Sequence, residues 1–182
     1  TGEELIRAIL QMPVDLFWFG GIGTYLKSAK ETHMQVGDEA NDAVRINIDE
    51  CRAKVIGEGA NLGMTQQARI EFHLAGRHLN TDAIDNSAGV NMSDYEVNIK
   101  ILLSQMLRTG VLKNLEERNQ LLVAATQEVS ALVLANNRGQ HRLISMDTLN
   151  SKKNFTIFRK LIGYLIQHGM NARSEYIPDP KE

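Results

Sequence analysis

The 182-residue chain has one cysteine, Cys51. A lone thiol cannot close an intramolecular disulfide, and with no second thiol or metal-type spacing beside it the sequence points to a reducing compartment, the cytoplasm. Cys51 itself reads as a half-buried thiol. Charge of one sign is also missing: 20 Lys and Arg against 22 Asp and Glu leave a net charge of −2, too small a field to draw nucleic acid or an anionic membrane. No stretch approaches the ~18 apolar residues of a membrane span, and the opening TGEELIRAIL lacks the basic-then-apolar order of a signal peptide. HxxxH and CxxC spacings are absent, so His33, Asp38 and Asp42 are not assigned to a metal. There is no internal repeat and no low-complexity segment. What is present is an ordinary globular composition, 43% hydrophobic and 23% charged, in a chain long enough to bury a core. It starts at Thr1 and stops in the polar stretch PDPKE, from which we expect a piece of a longer protein.

Thr1 and Glu4 have capping-box spacing ahead of a helix over residues 2–11, closed by Pro13. The run VDLFWF, residues 14–19, reads as a strand buried on both faces. It enters Gly20-Gly21-Ile22-Gly23-Thr24, which is not the dinucleotide fingerprint, because Leu26 stands where the third glycine belongs. A polar crossover over 24–50 holds a possible helix at 37–44. Residues 53–56 form the second strand, and Thr65 opens a helix through Ala75 that Gly76 stops. A third strand is expected at 78–84. Ser93 with Glu96 starts the next helix, and Asn114 with Glu117 starts another that runs to about Ala135. A looser link over 136–154 precedes a last helix at 155–168, and Met106, Met146 and Met170 read as core filler. Strands alternating with helices, then helices alone, predict an α/β fold: a partial doubly wound, Rossmann-like parallel sheet followed by a helical segment. Residues 1–92 are expected to be the second half of a dinucleotide-binding domain and residues 93–182 a helical return segment packing on it.

Two loops concentrate the chemistry: Gly57-Glu58-Gly59-Ala60-Asn61 and Asp85-Asn86-Ser87-Ala88-Gly89-Val90. Each is expected to leave the carboxyl end of a strand, where ligands bind in parallel α/β sheets. By residue type alone, Asn61 and Asn86 could equally be turn residues spending their amides on their own backbone.

Read together, GEGANLGMT and TDAIDNSAGVNMSDYE resemble glutamate dehydrogenase of the large bacterial NAD-dependent kind. The small glutamate dehydrogenases carry a similar EGAN loop followed by a threonine, and downstream an Asn-Ala-Gly-Gly-Val loop. Ser87 and Ala88 depart from that second pattern. VDLFWFGGIGTYLK, GDEANDAVR and FRKLIGYLIQHGMN extend the resemblance to the large branch over nearly the whole chain. The resemblance implies oxidative deamination of L-glutamate to 2-oxoglutarate and ammonia, with hydride passing to NAD, in a homo-oligomer built with the remainder of a parent chain. It implies that Asn61 and Asn86 face the nicotinamide and its ribose, that Gly59 and Ala60 let backbone approach the cofactor, that Gly20 and Gly21 lie on its ribose side, and that Ser93 contacts the side-chain carboxylate of glutamate. Such a carboxamide needs a donor and an acceptor, and an asparagine amide offers both. The alternatives are a branched-chain or aromatic amino-acid dehydrogenase, or a non-catalytic module that kept a dinucleotide fold. No counterparts of the family's proton-transferring lysines and aspartate are recognisable; Lys27, Lys54 and Lys100 are candidates by type only, and none is assigned a catalytic role.

Because no stretch has the spacing of a pyrophosphate-holding glycine turn, the 182-residue chain alone is expected to be inactive. Its NAD affinity should be on the order of millimolar, about −4 kcal/mol. Calorimetric titration of NAD checks this, and low-micromolar binding would show that the cofactor site is misplaced.

Overall fold

The computed structural model describes residues 1–59 and 61–178. The chain divides into two compact units, Thr1–Arg138 and Gly139–Glu182.

In the first unit, α1 spans Gly2–Leu10 and closes the expected capping box: Thr1 Oγ1 accepts from the Glu4 amide at 3.2 Å while the Glu4 carboxylate takes the Thr1 nitrogen at 2.6 Å. Its Leu10 enters the core. Strand β1 is Leu16–Phe19, and its parallel partner is the later strand Val55–Glu58, in the register Leu16 to Val55, Phe17 to Ile56, Trp18 to Gly57 and Phe19 to Glu58. The nearly continuous apolar run suggests burial on both faces, but the pleat divides it. Phe17 and Phe19 pack inward, while Leu16 and Trp18 remain 57% exposed.

The glycine loop does not lead to a helix. It turns into β2, Leu26–Lys27, which pairs in parallel with β3, Ile46–Asn47. Between them, α2 covers His33–Val36. The helix expected at 37–44 is displaced, because Gly37 adopts φ 73° and ends α2 in the left-handed region. Asp38 then accepts from the Thr24 amide and the Asn41 side chain, both at 2.8 Å, leaving only a 3₁₀ turn at Glu39–Asn41. His33, Asp38 and Asp42 converge on the Arg45 guanidinium, whose Nε donates to the Thr24 carbonyl at 2.7 Å.

A 3₁₀ turn at Ile48–Glu50 leads by way of Cys51 and Ala53 to β4, Val55–Glu58. Cys51 is fully buried rather than half-buried, and burial pushes its thiol pKa up. Helix α3 is Gln66–Leu74, with Thr65 Oγ1 capping the Ala68 amide at 3.2 Å and Gly76 leaving the helix at φ 79°. The third strand reduces to one parallel bridge, His78 to Val55. After it, Asn80-Thr81-Asp82 turns the chain into a short helix, α4, Asp82–Asp85, as residues with backbone-competing side chains favour. The observed class is therefore mixed α/β with a small parallel sheet.

Helix α5 runs Ser87–Arg108, so it starts six residues before Ser93, which is not its cap. Asn114 does cap α6, Leu115–Lys153, accepting from the Glu117 amide at 2.9 Å. The link expected at 136–154 is helical as far as Lys153. The Asn137 amide, which could have broken it, instead donates to the Ile84 carbonyl at 3.0 Å and to Ser87 Oγ at 2.8 Å. The main core gathers Leu10, Phe19, Leu26, Ile46, Ile56, Met64 and Phe72 with their small neighbours. Met64 is the core methionine; Met106, Met146 and Met170 lie outside that cluster. In the second unit, α7 spans Phe155–Gln167, and the Tyr164 and His168 rings stack 3.9 Å apart. Among the described residues no helix is long and apolar enough to cross a membrane.

Arg45→Ala should strip the cation from Asp38 and Asp42 and leave the Thr24 carbonyl without its partner. Because Asp38 and Asp42 are 26% and 40% exposed, the expected loss is about 1–3 kcal/mol, as for a buried carbonyl left without its donor, read from the urea midpoint. A loss within ~0.5 kcal/mol would mean that the 24–45 segment is held by other contacts.

Candidate functional site

Because β1 and β4 run parallel, the loops after Phe19 and after Glu58 leave the sheet on the same side. The second loop is built around a buried charge. Glu58 is 0% exposed, and the Arg69 guanidinium grips its carboxylate with two donors, Nε to Oε2 at 3.1 Å and Nη2 to Oε1 at 3.0 Å. The same Nη2 lies 3.2 Å from Asp82 Oδ1 on α4. Backbone amides add to these carboxylates: Gly63 N–H donates to Glu58 Oε1, the oxygen already held by Arg69 Nη2, at 2.9 Å, Leu62 N–H to Asp82 Oδ2 at 2.9 Å, and Glu58 N–H to Asp85 Oδ2 at 3.1 Å. Leu62 takes φ 62°, a rare conformation for a side chain of its size, and its amide bond to Asp82 helps hold it there. Burial is the main cause that raises the Glu58 carboxyl pKa; Arg69 opposes it and the Asp82 charge adds to it.

This frame brings the two asparagines together. Asn86 Nδ2 donates to Asn61 Oδ1 at 3.3 Å, across 25 positions of sequence. Asn86 does not stand in a loop beyond a strand as expected. It is the single residue between α4 and α5, and a Cβ on Gly89 would run into its Oδ1. Gly59 faces the Trp18 indole: a Cβ there would sit 2.6 Å from the ring, as would one on Gly57. These two glycines thus have a packing reason independent of any ligand. A Cβ on Gly20 would make ordinary contact with the same indole, 3.9 Å from Cδ1, while the space at Gly21 is open. Ala60 lies outside the described residues. Ser93 is exposed on α5, seven positions after Asn86 and so on the same side of the helix, about 10 Å along it at 1.5 Å per residue.

The three lysines singled out by type have other partners. Lys27 Nζ reaches Asn47 Oδ1 at 2.5 Å, Lys54 pairs with Asp15 at 2.6 Å, and Lys100 pairs with Glu96. The sequence reading missed Arg69, Glu58, Asp82, Asp85 and Trp18. One signal was available: Arg69 stands between Ala68 and Phe72 on the buried side of α3, and a charged residue at core spacing requires a buried counter-charge.

The folded chain holds the Glu58 proton more tightly than the unfolded chain does. That contribution to stability is therefore fully present below the unfolded carboxyl range, about pH 4.3, and is lost as pH rises through the folded value. The stability of the wild type relative to Glu58→Gln should accordingly fall as pH rises above the unfolded carboxyl range, measured by urea unfolding at stepped pH. A relative stability that grows with pH would show that Arg69 outweighs burial.

Residues 1–147 match the family described as bacterial NAD-glutamate dehydrogenase, catalytic domain. The chain is 51% identical over 180 residues to an NAD-specific glutamate dehydrogenase of Pseudomonas aeruginosa, an alignment covering 98% of this chain and 11% of the relative. It is 50% identical over 180 residues to one of Mycobacterium tuberculosis, covering 98% and 11%, and 48% identical over 181 residues to one of Halomonas elongata, covering 99% and 11%. The chain thus spans about a tenth of the length of the curated relatives it matches. With the family match extending from α1 into α6 and including both asparagine segments, the chain belongs to the bacterial NAD-glutamate dehydrogenase catalytic-domain family.

Proposed function

We propose that this chain is the part of an NAD-dependent glutamate dehydrogenase where the nicotinamide end of the cofactor meets the amino acid, in an enzyme that oxidatively deaminates L-glutamate to 2-oxoglutarate and ammonia. The observation that carries the reading is the contact between Asn61 and Asn86. It uses Asn86 Nδ2 and Asn61 Oδ1, which leaves Asn61 Nδ2 as a donor and Asn86 Oδ1 as an acceptor. A carboxamide needs one of each, so the donor set fits the group. Bound NAD would supply the hydride acceptor. The protein's part is to orient: the two amides fix the ring, and the bare backbone of Gly20 beside the Trp18 indole, with the open space at Gly21, leaves room for the adjoining ribose. Ser93 offers a hydroxyl farther along the same side of α5, where it would donate to the substrate's side-chain carboxylate. In this reading residues 1–92 belong to a Rossmann-like domain, and the pyrophosphate is held outside the glycine loop, which runs into β2 rather than a helix N-terminus.

In the full-length enzyme, Asn86→Ala should lower turnover with NAD by about 10²-fold, the scale for a reacting group displaced by about 1 Å, with little change in melting temperature. Ser93→Ala should lower kcat/KM for glutamate about 10- to 100-fold, since bonds to charged groups contribute roughly 1.5–3 kcal/mol, and should leave the KM for NAD in place. Alanine is the better helix former and Ser93 caps nothing, so stability should not fall. Steady-state kinetics varying each substrate decide the matter. Equal small losses for both substrates, or undiminished glutamate use with leucine accepted as readily, would overturn the reading.

A further inference from the structure

We propose that Arg69 is a positioning residue for the cofactor-facing asparagines, setting the separation of Asn61 and Asn86 without touching either ligand. The proposal rests on the reading of those asparagines given above. Arg69 is 7% exposed and holds two carboxylates from different segments, Glu58 at the end of β4 and Asp82 on α4. Each carboxylate in turn anchors backbone immediately beyond Asn61, Glu58 through the Gly63 amide and Asp82 through the Leu62 amide. On the other side, α4 ends at Asp85 and Asn86 follows directly. One guanidinium therefore ties together the segment that presents Asn61 and the helix that presents Asn86, and their 3.3 Å contact lies at the far end of that tie. A planar fork with several donors can serve both carboxylates in fixed geometry, whereas an ammonium is a point charge. The Glu58 amide bond to Asp85 joins β4 to α4 without Arg69, so loosening the guanidinium shifts the loop against the helix rather than detaching them.

The test uses full-length enzyme. Arg69→Lys keeps the charge and loses the fork; it should lower kcat/KM for NAD about 10- to 100-fold while the KM for glutamate stays within about twofold. Combined with Asn86→Ala, it should add little further loss, because both changes remove the same aligned contact. Asp82→Asn, which keeps an oxygen for the Leu62 amide but weakens the hold on Arg69, serves as the second variant should Arg69→Lys fail to fold, and should show the same NAD-selective loss. A lowered melting temperature with unchanged kinetics of the folded protein, or full additivity with Asn86→Ala, would overturn the positioning role and leave the cofactor reading standing. Normal NAD kinetics in Asn86→Ala would overturn both.

Discussion

A guanidinium with almost no access to water is stable only if carboxylates surround it, and the fold around both asparagine segments follows from meeting that condition for Arg69. Glu58 and Asp82 provide the counter-charge, and the Gly63 and Leu62 amides donate to the same two carboxylates. Buried ion clusters of this kind contribute less to net stability than to geometry, since desolvation offsets most of the attraction. What the cluster specifies is where the chain passes after β4 and where α4 begins. The crossover obeys the same rule: buried Arg45 gathers Asp38, Asp42 and His33 and shapes a segment with little apolar material of its own.

Trp18 connects the cluster to the sheet. In the β1–β4 register it stands opposite Gly57, and its indole lies so close to Gly57 and Gly59 that neither position admits a side chain. Glycines in a strand-end loop invite a ligand explanation, yet here packing alone accounts for two of them. Gly21, where a side chain would meet nothing within 4 Å, is a glycine of this surface that packing leaves open.

The helices after Asn86 are long but bury little within the chain. Leu103 is the buried residue of α5 and Val133 that of α6, while Phe155, Ile157 and Leu161 of α7 stay exposed. Asn114 caps α6, whereas neither Asn86 before α5 nor Asn154 before α7 makes a side-chain capping bond. Their packing does not explain their length.

The features legible in the sequence were those set by neighbours a few residues apart. Capping by Thr1, Thr65 and Asn114, termination at Gly76 and the strands around Phe17 and Ile56 depend on local hydrogen bonds, backbone freedom and apolar runs. The GEGAN and DNSAGV motifs carried the family because their residue types are themselves the signal. Tertiary structure decided the rest. Residues 82–85 became helical once Asp82 was engaged by Arg69 and Leu62, α6 continued past Ala135 once Asn137 bonded to Ile84 and Ser87, and α5 began at Ser87, so that Ser93 became a mid-helix residue. In the first two cases a polar side chain could have satisfied itself locally and was drawn instead to partners well outside its own turn, 20 positions away for Asp82 with Leu62 and 53 for Asn137 with Ile84. Distant charge pairing and amide partners have no periodicity, so sequence pattern alone could identify Asn61 and Asn86 but not bring them to 3.3 Å.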